Sequence, residues 1–141
     1  MNTTEHNRRL ITGILAELEA GNSRPFADAM ADGVRWITPG SSVWARTYEG
    51  KPAVLHFLGV AVRGQLVERV RLTPRRILAD ADHVVVEARG NATTRNGKPY
   101  NNDYCFIFRL AAGKITEVTE YLDTDLATSA LAPVAPAPHP A

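Results

Sequence analysis

Cysteine is nearly absent. A single Cys105 in 141 residues excludes an intrachain disulfide framework and any zinc site built on several thiolates. An excess of one charge is lacking too, since 16 basic and 15 acidic side chains leave a net charge of +1. Nucleic-acid binders carry a basic excess or stripe, so no nucleic-acid partner is expected. No run reaches the roughly 18 apolar residues of a membrane span, so no membrane partner is expected either. The polar start, Met1-Asn2-Thr3-Thr4-Glu5-His6-Asn7, does not read as a signal peptide. A cytoplasmic protein is the expectation. His6, His56, His83 and His139 are scattered without metal-ligand spacing. Gly33, Gly40 and Gly50 are isolated and form no phosphate-binding loop. No metal and no cofactor are therefore expected.

What is present suits one soluble domain. Hydrophobic residues are 45% and charged residues 22%, enough for a single core in a chain of this length. Leu10, Ile14 and Leu18, widened by Ile11 and Leu15, predict a first helix, with Asn2 as cap and Gly21-Asn22 as its end. A short second helix fits residues 23–31, with Ser23 as cap and Pro25 in its first turn. Residues 33–38 read as a strand with Val34, Trp36 and Thr38 on one side. Trp44, Arg46 and Tyr48 fall in an apparent loop. A third helix follows, with Pro52 early and Gly64 at its end. Four strands complete the pattern, over 65–78, 83–94, 100–110 and 114–123. Pro74 marks a bulge in the first of them, and Asn96-Gly97 and Ala112-Gly113 mark turns. Helices grouped before a run of antiparallel strands imply an α+β fold. The alternating prolines of Ala132-Pro133-Val134-Ala135-Pro136-Ala137-Pro138-His139-Pro140-Ala141 predict a disordered tail, so the pocket domain is set at 1–126 and the tail at 127–141.

That element order resembles the nuclear transport factor 2-like superfamily, its SnoaL-like and ketosteroid-isomerase-like groups above all. The resemblance also rests on the stretches Trp36-Ile37-Thr38-Pro39-Gly40, Tyr48-Glu49-Gly50-Lys51 and Gly113-Lys114-Ile115-Thr116-Glu117-Val118-Thr119-Glu120-Tyr121-Leu122-Asp123. It implies a cone, in which a curved and mostly antiparallel sheet wraps the N-terminal helices as a cystatin-like α+β barrel around one apolar pocket. It also implies a homodimer through the outer sheet face. Fold does not give function here, because the superfamily hosts isomerases, cyclases, epoxide hydrolases, dehydratases and binding proteins. Steroid isomerases need a tyrosine, an aspartate base and a protonated aspartic acid. The matching positions in this chain are Ile14, Thr38 and Cys105. None can do that work, so standard steroid isomerisation is not expected.

Epoxide hydrolases of the superfamily use Asp–Arg–Asp. Carried over by position, the arginine and the first aspartate fall on Glu87 and Arg89, with their charges exchanged, and the second aspartate falls near Glu120. The resemblance thus implies Glu87, Arg89 and Glu120 as candidate catalytic residues, in a mechanism that does not carry over unchanged. Periodicity alone places Val84, Val86 and Ala88 in the core and Glu87 and Arg89 in water. The resemblance implies the reverse, with Glu87, Arg89 and Asn91 turned to the pocket. In that register Trp36, Thr38, Asp103, Cys105, Ile107 and Leu122 line the pocket, while Trp44 and Tyr48 cover its mouth. Glu120, between Val118 and Leu122, is the expected proton shuttle, since desolvation raises a carboxyl pKa toward neutrality. The alternative is an inert Glu120 paired with Arg89. A small-molecule ligand is the expected partner, for a cofactor-free acid–base enzyme or for a binding module without turnover.

Overall fold

The structure is a computed structural model, and residues 2–134 of it are described. The chain runs α1 (Thr3–Glu19), α2 (Arg24–Ala29), β1 (Met30–Thr38), β2 (Arg46–Glu49), α3 (Lys51–His56), β3 (Arg71–Asp80), β4 (His83–Asn91), β5 (Asp103–Ala111), β6 (Lys114–Leu122) and α4 (Thr124–Ala130). The strands form one curved six-stranded sheet in the order β2-β1-β6-β5-β4-β3. Only β1 and β6 pair in parallel; every other neighbour pair is antiparallel.

Local chemistry accounts for much of this. Asn2 caps α1 by accepting a hydrogen bond from the Glu5 backbone, 2.8 Å long. Gly21, at φ +100°, lets the chain turn after the helix. The pairing of β3 with β4 slips between Pro74 and Arg76, because proline cannot donate to the ladder. Asp123 caps α4 through bonds to the amides of Asp125 and Leu126.

Several expected boundaries move. The apparent loop around Tyr48 contains β2, which pairs residue by residue with β1. The third helix is α-helical only to His56, then widens to a π-type turn over Phe57–Val62 and tightens to a 3₁₀ turn over Arg63–Gln65. β3 starts at Arg71 rather than at 65. Helix α4 crosses the expected boundary between domain and tail, and Ala127 and Leu131 are buried. The packed part of the chain therefore extends past 126. Residues 135–141 of the expected tail lie outside the described residues.

The larger correction concerns which face of the sheet is inside. Val84, Val86 and Ala88 are buried with Phe106, Phe108 and Val118. Glu87 and Arg89 point outward, where Glu87 pairs with Arg76 at 3.3 Å and Arg89 with Asp103 at 3.0 Å. Plain periodicity has the register right, and the register implied by the resemblance is overturned. The cause is packing: α1 lies across β3 and β4, so Ile11, Ile14 and Leu15 cover the valine side. Cross-strand pairing of Glu87 with Cys105, and of Val85 with Ile107, carries those two residues of β5 outward as well. Asn91 and Asp103 are exposed.

The two faces predict different costs. Val86→Ala should destabilise the protein by about 2–3 kcal/mol, from lost burial plus a cavity. Glu87→Ala and Arg89→Ala should each cost less than about 1 kcal/mol, as solvent-screened pairs do. Urea unfolding midpoints check both.

Candidate active site

The concave face of the sheet, closed by α1, α2 and the segment after α3, encloses a cavity of about 390 Å³. That volume lies within the usual range for small-molecule sites. Its wall is strongly aromatic. Trp36 meets Phe106 edge-on at 6.0 Å, Phe106 stacks on Tyr104 at 5.2 Å, and Tyr48 stacks on Phe57 at 4.3 Å.

Glu120 stands in this wall. Alternation along β6 turns Val118, Glu120 and Leu122 inward, and Glu120 sits opposite Phe106 of β5. Parallel pairing of β1 with β6 brings Trp36 and Thr38 beside it. The Trp36 indole Nε1 donates to Glu120 Oε1 at 3.1 Å, and the Thr38 hydroxyl donates to the same oxygen at 3.5 Å. Among the described residues no cation pairs with the carboxyl. Burial therefore dominates and lifts its pKa from 4.5 to about 7, against the smaller opposing effect of the two hydrogen bonds. Both bonds use Oε1, and no buried polar side-chain atom is left unpaired among the described residues, so Oε2 opens to the cavity.

A second polar group comes from the segment leading into β5 and from β5 itself. The buried Asn102 side chain donates to the Tyr100 hydroxyl at 3.2 Å and to the Asp123 carbonyl at 2.9 Å. It also accepts from the Asp123 amide at 3.0 Å, tying the start of α4 to the sheet. Burial raises the pKa of Tyr100 and of Tyr104, so both phenols stay protonated. Gly90 makes room for the Tyr104 ring, because a Cβ there would lie 2.8 Å from Tyr104 Cε2.

Of the expected site residues, Glu120, Trp36, Thr38, Trp44, Tyr48 and Leu122 line the cavity. Glu87, Arg89, Asn91, Asp103, Cys105 and Ile107 do not. Arg89 lies on the opposite face from Glu120, so the pairing of those two is excluded. The register makes this unavoidable: Cys105 pairs with Tyr121 while Phe106 pairs with Glu120, so Cys105 and Glu120 cannot share a side. Burial also raises the Cys105 thiol pKa, the wrong direction for a nucleophile. Sequence reasoning missed Tyr104 and Phe106. The alternation of Tyr104, Phe106 and Phe108 against Asp103, Cys105 and Ile107 was the available signal. Trp44 is anchored at the mouth by an indole bond to Thr128, 3.0 Å long.

The chain belongs to the SnoaL-like domain family, whose sequence profile matches residues 11–118. No relative matches among curated proteins. Solved structures share the fold at low identity. Bal32a, from a soil-derived mobile gene cassette, is 22% identical and superposes with a TM-score of 0.76 over 92% of this chain and 97% of its own. A candidate SnoaL-like polyketide cyclase from Jannaschia sp. CCS1 is 17% identical, with a TM-score of 0.77 over 93% and 94%. TerC, co-crystallised with polyporic acid, is 23% identical, with a TM-score of 0.74 over 89% and 97%.

The carboxyl of Glu120 should be visible in titration. Trp36 emission should change with a midpoint near pH 7, and Glu120→Gln should remove that transition. Because the folded-state pKa is raised, the stability due to the protonated form is complete below pH 4.5 and lost as pH rises through about 7. The loss is about 3 kcal/mol at most. Urea unfolding of Glu120→Gln should show a correspondingly flatter pH dependence than the parent protein.

Proposed function

We propose that this protein is a cofactor-free acid–base enzyme acting on a small, largely apolar organic molecule, with Glu120 as its proton shuttle. The reaction class is isomerisation, cyclisation, dehydration or epoxide opening. One arrangement carries the reading: a carboxyl with no counter-ion among the described residues stands in the wall of an aromatic cavity, and burial there raises its pKa to about 7. Near neutral pH both of its forms are populated, so it can take a proton from a substrate and return it. Trp36 and Thr38 hold Oε1 in place and leave Oε2 for the transfer. Glu87 and Arg89 have no part in this mechanism. The candidate cyclase from Jannaschia and the polyporic acid complex of TerC fit such a pocket, as neighbours in fold.

A binding module without turnover is the second reading. It is favoured by Ile14 and Thr38, which line the cavity where steroid isomerases carry their tyrosine and base. Activity across cyclic enones, β-diketones and epoxides separates the two. Glu120→Gln should lower turnover by about 10²–10⁴-fold. A loss below about 3-fold removes Glu120 from the mechanism, and binding without turnover in all three classes supports the module.

The convex face supports a homodimer. Strand pairing lines up Leu78, Val85, Ile107, Thr119 and Ile37 in one row across five strands, and Leu78 is 54% exposed. A second copy would cover this row. Light scattering should give a dimer mass for the parent protein and a monomer mass for Ile107→Glu.

A further inference from the structure

The arginines of this chain divide by place. Eight exposed arginines, among them Arg35, Arg76 and Arg89, pair with a carboxylate, while exposed Arg71 and Arg95 do not. The three that line the cavity, Arg46, Arg63 and Arg69, are half-buried and donate only to neutral oxygens among the described residues. Arg46 Nη1 bonds the Val134 carbonyl at 3.2 Å and the Tyr48 hydroxyl at 3.5 Å, and its guanidinium lies 5.7 Å from the centre of the Tyr48 ring. Arg63 donates to the Leu66 carbonyl and Arg69 to that of Leu18. Among the described residues the only carboxylate in the cavity wall is Glu120. The wall thus has an excess of positive charge that the described residues do not neutralise.

Arg63 and Arg69 are shared with a neighbouring depression that also contains Glu19 and Glu68; Arg46 is not. Arg46 stands opposite Thr38 on β2, and Thr38 reaches Glu120 on β6. Arg46 and Glu120 therefore occupy one row of the concave face two strands apart, roughly 10 Å between Cα atoms. Nε and Nη2 of Arg46 make no bond among the described residues. Those two nitrogens form the edge of a guanidinium that meets an oxyanion with two parallel hydrogen bonds.

We propose that Arg46 is an anion-recognition residue, and that the cavity takes an apolar organic molecule carrying one acidic oxygen group. The anionic end sits against Arg46 at the mouth, and the apolar body lies along the aromatic wall toward Glu120. This rests on the cavity being the ligand site, as proposed above, and adds the class of ligand.

Two fluorescent probes of nearly the same shape test it: 8-anilinonaphthalene-1-sulfonate, an anion, and N-phenyl-1-naphthylamine, its neutral counterpart. The parent protein should bind the sulfonate about tenfold more tightly or better, the scale of a charge-assisted contact. Arg46→Gln should abolish that preference and leave neutral-probe affinity within about twofold. Arg46→Lys keeps the charge without the fork and should retain part of the preference. Arg63→Gln and Arg69→Gln should retain all of it. Equal affinity of the parent for both probes overturns the assignment. So does unchanged sulfonate affinity in Arg46→Gln, or loss of both probes in Arg46→Gln and Arg46→Lys alike. Turnover is not read in this experiment. An inert Glu120 would leave the preference intact, and a cavity built for neutral ligands would remove it while the Glu120 titration persisted.

Discussion

An acidic side chain in an aromatic wall is tolerated here because two neighbours on another strand meet it. The parallel pairing of β1 and β6 is the one departure from antiparallel order in the sheet, and it sets Trp36 and Thr38 against Glu120. Two neutral donors offset part of the cost of desolvation without supplying a charge. Had a guanidinium taken their place, the carboxyl would be firmly ionised and its pKa depressed. The indole and hydroxyl instead leave it able to exist in either form. The hydrogen bonding of the acid and the raised pKa that goes with it follow from this single strand pairing.

The sheet divides its work between its faces. Its concave side holds the acid, Trp36, Tyr104, Phe106 and Phe108, while Tyr121 faces outward. Its convex side holds Glu87, Arg89, Asp103 and Arg76 in exposed ion pairs, interleaved with the aliphatic row through Val85 and Ile107. Exposed pairs contribute little to stability individually. They do limit which surfaces can meet the sheet from outside.

Much of the fold was legible in the residues themselves. Leu10, Ile14 and Leu18 marked α1, Pro74 marked the irregularity in β3, and Val34, Trp36 and Thr38 marked the inner side of β1. Glu120 was found because its neighbours in β6 are apolar at alternate positions. The partners assigned to it were wrong because position matching carried the parity of β4 and β5 across a connection of uncertain length. A shift of one residue exchanges the faces of a strand, whereas Val84-Val86-Ala88 and Tyr104-Phe106-Phe108 already gave the correct parity. Strand β2 was hidden for another reason. It is four residues long, rich in side chains that suit a loop equally well, and defined by its pairing with β1.

The rim of the hollow is fastened in an uncommon way. Gln65 donates to the carbonyl of Ala132 and accepts from its amide, while Arg46 grips the carbonyl of Val134. All three contacts are to main-chain atoms. What is fixed is where the polypeptide passes, not which side chains it carries. The edge of the entrance can therefore be rewritten residue by residue, altering what it admits while its course over the opening stays the same.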